Sequence, residues 1–73
     1  MSEDFEKLNN LKEGEEVELS GWFEEGGPLV KKQGGYLFLF EVPQFGGEPM
    51  LVAEYGASED EILALIKKAN SFT

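Results

Sequence analysis

Seventy-three residues allow one small domain, near the lower limit of what folds without a covalent or metal staple. The chain has no cysteine and no histidine, so disulfides, thiolate or imidazole metal ligands and the usual nucleophile–base pairs are excluded. Fifteen acidic residues against six lysines and no arginine give a net charge of −9, which argues against direct contact with nucleic acid or an anionic membrane.

The N-terminus lacks a basic segment followed by an apolar one, and no apolar run is long enough to span a bilayer. The expected setting is therefore cytoplasmic, and residues 1–73 are expected to form a single α+β domain. Charge is uneven along it. Residues 1–27 hold nine acids and two lysines, and so carry most of the negative field.

In chain order, Ser2 is a candidate cap for a short helix, with Glu3 and Asp4 in its first turn, where negative charge suits the helix dipole. Phe5, Leu8 and Leu11 recur at helical spacing and should face inward; Asn9–Asn10 and Lys12–Glu13–Gly14 end the helix. Glu15 to Glu24 then alternates as a half-buried strand does. Val17, Leu19, Gly21 and Phe23 fall on the dry face, and Glu16, Glu18, Ser20, Trp22 and Glu24 on the wet one. A bulge at Gly21 would exchange the faces of Trp22 and Phe23.

After a turn at Gly26–Gly27–Pro28, Leu29–Gln33 reads as a short strand whose lysines discourage edge pairing. Gly34–Gly35 turns the chain into its most apolar stretch, Tyr36 to Val42, closed by Pro43. Tyr36, Phe38, Phe40 and Val42 point to one side of that strand and Leu37, Leu39 and Glu41 to the other, so both faces should be covered. Met50–Tyr55 is the fourth strand, with Met50 and Val52 on one side and Leu51, Ala53 and Tyr55 on the other. Ser58–Glu59–Asp60–Glu61 forms a capping box for a helix with an apolar stripe of Ile62, Leu65, Ile66 and Ala69, ending near Asn70. Phe72 is then placed to fold back on the core.

Three Gly–Gly pairs separate four strands too closely spaced for helical crossovers. The predicted fold is a four-stranded antiparallel meander in the order α-β-β-β-β-α, with the C-terminal helix on one face. The N-terminal helix is the expected cover of the other face in a monomer, and a homodimer is the alternative cover. The arrangement of Gly35–Tyr36, Val42–Pro43 and a helix opening at Ser58–Glu59 is similar in layout to HicB-type antitoxin domains over about half the chain. The strand Met50–Tyr55 departs from that layout, and no residue role carries over from it.

Function is less legible. No EF-hand spacing, phosphate loop or catalytic constellation is present, so no metal, no cofactor and no enzymatic activity is expected. The aromatics Tyr36, Phe38, Phe40, Phe45 and Tyr55 lack the basic residues of a nucleic-acid stacking platform, and core is the expected role for most of them. The favoured reading is a non-enzymatic interaction domain that binds a basic protein surface. Trp22 standing among Glu16, Glu18 and Glu24 would suit a partner's lysine or arginine by cation–π contact and charge pairing, whereas a core position for Trp22 is the structural alternative. Phe45, alone in a Gly/Pro loop, is the remaining candidate contact. The alternatives are a nucleic-acid mimic that inhibits a DNA-binding or defence protein, and a carboxylate-based enzyme.

Overall fold

The computed structural model describes residues 3–20 and 26–72. The cap at Ser2, the bulge at Gly21, the side chains of Trp22, Phe23 and Glu24, and the Phe72 side chain lie outside the described residues.

The elements run α1 (Glu3–Asn9), β1 (Glu16–Glu18), β2 (Gly27–Gln33), β3 (Tyr36–Val42), β4 (Met50–Tyr55) and α2 (Glu59–Ala69), followed by a single 3-10 turn at Asn70–Phe72. The strands form one antiparallel sheet in the order β1-β2-β3-β4, as the closely spaced glycine turns require. Gly34 and Gly35 make the two-residue β2–β3 turn with φ of 62° and 82°, a pair of left-handed positions that only glycine adopts without strain.

Two strand bounds differ from the expected ones. Among the described residues of the expected Glu15–Glu24 strand, β1 pairs over Glu16–Glu18, with Leu19 N–H still donating to Pro28 O at 3.2 Å. Pro28 has no N–H to return to Leu19 O, and the Ser20 N–H, which faces away from β2 at the free edge of β1, donates to Asp4 Oδ1 at 2.9 Å. β2 starts at Gly27, two residues early, and takes in the proline expected to turn.

β4 has the expected bounds and unexpected faces. Leu39 pairs with Ala53 and Phe40 with Leu51, so Val52 is an extra residue, a bulge. The bulge breaks the alternation: Leu51 turns outward and is 58% exposed, while Val52 and Tyr55 pack against the core.

α2 follows its local cues. Ser58 is the N-cap and its hydroxyl accepts from Glu61 N–H, with Lys67 and Lys68 in the last turn. The return half of the expected capping box is redirected. Glu61 Oε1 accepts from Gly56 N–H at 3.0 Å, and so ties the helix to the end of β4.

The larger correction concerns layering. α1 does not cover the second face of the sheet; both helices lie on the same face and touch each other. One continuous core joins Phe5, Leu8 and Leu11 with Leu19, Val30, Leu37 and Leu39 of the sheet region and Ile62, Leu65 and Ala69 of α2. Geometry gives the reason. Four strands at ~4.8 Å spacing are wider than one helix, whereas two helices ~8–10 Å apart match them. Polar contacts hold α1 beside β1. Asp4 is buried with both carboxylate oxygens used, Oδ1 by Ser20 N–H and Oδ2 by Ser20 Oγ at 2.7 Å. Lys7 Nζ donates to Glu18 O at 3.1 Å.

The α1–β1 connection is tied to the β2–β3 turn by Glu13, whose carboxylate accepts from the Gly34 N–H and, at 3.1 Å, from the Gly35 N–H. The Gly34 amide, then the Gly35 amide, with the Lys32 ammonium adding to them, hold the Glu13 carboxyl below its ordinary 4.5 and outweigh desolvation. The folded state therefore binds this proton less readily than the unfolded chain does. The contribution to stability is complete above 4.5 and is lost as pH falls through the lowered folded value. Glu13→Gln is expected to lower the urea midpoint at neutral pH and to match the wild type in acid, where Glu13 is protonated in both states. Identical midpoints at both pH values would show that the clamp contributes nothing.

Candidate functional site

With both helices on one side, no described element lies over the other face of the sheet. The register sets out what that face presents. One row across the strands reads Glu18, Leu29, Phe40, Leu51; the next reads Glu16, Lys31, Phe38, Glu54. Leu29, Phe38 and Phe40 are half-buried, and Val42 and the exposed Tyr36 extend the apolar strip along β3. The expectation that Tyr36, Phe38 and Phe40 belong to the core is thus corrected. Strand parity puts all three opposite Leu37 and Leu39, on the side without a helix. Tyr55 does reach the core, though half-buried.

Leu29 and Phe40, Pro49 from the loop before β4, and the facing pair Glu16 and Lys31 enclose an open hollow of about 150 Å³. Its floor is the cross-strand pair Leu29 and Phe40. One end of it is formed by Glu16 of β1 and Lys31 of β2, two long side chains whose methylene stems add apolar wall below charged tips. Around it, Glu16, Glu18 and Glu54 outnumber Lys31 among the described residues of the face. The face is apolar at its centre and acidic at its ends.

Glu16 and Glu18 are exposed on this face, brought beside Leu29 and Lys31 by the β1–β2 register. Phe45 is 91% exposed in the loop between β3 and β4, the loop that also supplies Pro49. Trp22 and Glu24 are not among the described residues. Sequence reasoning missed Leu29, Lys31, Phe40, Pro49 and Leu51. The signal for Phe40 was present in the doubly apolar β3 and was read as a demand for a cover; the signal for Leu51 was hidden by the bulge. No group of three or more carboxylates able to hold a metal ion occurs among the described residues, and no helix there is long and apolar enough to cross a membrane.

Compared with protein-family models, curated proteins and solved structures, the chain matches none. The reading of the site rests on its own geometry.

Proposed function

We propose that this protein is a small, non-enzymatic interaction domain that docks a basic protein surface on its open sheet face. One observation carries the reading: an apolar row, Leu29–Phe40–Leu51, is left uncovered by both helices and bordered by Glu16, Glu18 and Glu54. Large apolar side chains at the surface in a contiguous strip mark an interaction site more often than isolated ones do. Carboxylates at the rim select a cationic partner and speed its approach.

A second copy is the poorer occupant. Stacking two copies would oppose two chains of charge −9. The preferred state is a monomer that meets a different, positively charged protein.

A set of purified basic proteins, titrated into the labelled protein at low salt, provides the test. Amides of β2, β3 and β4 should shift, and Leu51→Gln, an exposed and charge-neutral change, should weaken binding at least tenfold. A complex that dissolves steeply with salt and ignores Leu51→Gln would replace this reading with charge mimicry of a nucleic acid. Shifts confined to the outer faces of the helices would overturn both.

A further inference from the structure

Resting on the reading above, we infer that the hollow formed by Glu16, Leu29, Lys31, Phe40 and Pro49 is an anchor pocket. It takes one leucine-sized side chain of a cationic partner segment that carries a lysine or arginine two residues away.

Size sets the anchor. The hollow is about 150 Å³, and apolar cavities of about that volume hold a group the size of benzene, so a branched aliphatic or single-ring side chain has room in it. Lining sets its character, because Leu29, Phe40 and Pro49 have no polar side-chain atoms to satisfy and would expel water on filling.

Spacing sets the second residue. In an extended segment, side chains two residues apart leave the same side about 7 Å from each other, from a rise of ~3.3 Å per residue. A step of that length from above Leu29 toward β1 reaches Glu18, which pairs with Leu29 in the register, or Glu16, which lines the hollow itself. Lys31, at the same rim, stands where it can donate to a carbonyl of the bound segment, a role its ammonium fills as a donor without an acceptor. The ligand is therefore an amphipathic basic stretch rather than a uniformly cationic one. Most of its affinity would come from a single buried anchor, as small interfaces generally show.

Three blocked peptides test this on the intact wild-type protein by amide-shift titration at low salt. They are acetyl-Lys-Gly-Leu-Gly-Lys-amide, the same peptide with alanine for leucine, and the leucine peptide with glutamine for both lysines. The leucine peptide should shift Leu29, Lys31 and Phe40 and bind at least tenfold more tightly than the alanine peptide. Replacing the lysines, or using the Glu16→Gln, Glu18→Gln double variant, should cost a further several-fold. Equal binding of the leucine and alanine peptides on the open face would sink the anchor pocket and leave the docking face standing. Failure of every peptide to shift that face would sink both.

Discussion

Leu39→Ala is expected to remove roughly 2–5 kcal/mol of stability, the cost of a large-to-small change at a site that cannot collapse. Leu39 is fully buried, sits on a central strand between Val30 and Ala53, and joins the core built from both helices. Domains hold ~0.05–0.15 kcal/mol per residue, which for a chain this short leaves roughly 4–11 kcal/mol in all. The variant therefore gives up a large share of what holds the domain folded, and its melting midpoint should drop by roughly 8–40 °C at ~4–8 °C per kcal/mol. Leu51→Ala, on the opposite face and more than half exposed, should cost less than about 1 kcal/mol. Urea and thermal melts followed by circular dichroism measure both. A loss below 1 kcal/mol for Leu39→Ala, or a larger one for Leu51→Ala, would reverse the assignment of dry and open faces.

Gly26→Ala is expected to cost roughly 1–3 kcal/mol or more, although it adds a single methyl group. A Cβ at this buried position would lie 2.7 Å from Gln44 Cα, 2.7 Å from Val42 O and 2.8 Å from Gln44 N. All three are backbone atoms, so no side-chain rotation can relieve the contact. The chain leaving β3 must move, and with it the Gly27–Val42 pair that opens the β2–β3 ladder. Amide hydrogen exchange adds a local readout: protection should fall around Val42 while α2 stays protected in any molecules that remain folded. A variant as stable as the wild type, with unchanged exchange, would show that β2 and the 43–49 loop are not packed together here. Gly14→Ala serves as a control for space, since nothing lies within 4 Å of its Cβ position and only its positive φ of 87° opposes the change.

Much of the fold was legible because its cues are local. The Ser58 cap, the acidic first turn and the stripe Ile62–Leu65–Ile66–Ala69 specify α2 without reference to anything else. The glycine pairs left no length for crossovers, and strand parity correctly divided Leu37 and Leu39 from Phe38 and Phe40. Where prediction failed, a distant partner had intervened. Pro28 of the neighbouring strand offers Leu19 no donor in return, Asp4 takes the outward Ser20 N–H across sixteen residues, and the bulge at Val52 depends on how β4 sits against β3. Of the candidate contacts, Glu16 and Glu18 could be read from alternation alone. Their neighbours Leu29 and Pro49 could not, since the hollow exists only once β1, β2, β3 and the loop before β4 are assembled.

The amino-acid order by itself determined the number and kind of elements, their antiparallel succession and the excess of negative charge, because propensity, capping, turn chemistry and ionisation act over a few residues. Only the tertiary structure decided that both helices share one side of the sheet. A sheet this wide needs two helices to seal a single apolar face, and the described residues form no third α-helix to lie over the other. That shortage leaves Phe38, Phe40 and Leu51 facing outward, and from it comes the surface proposed to meet a partner.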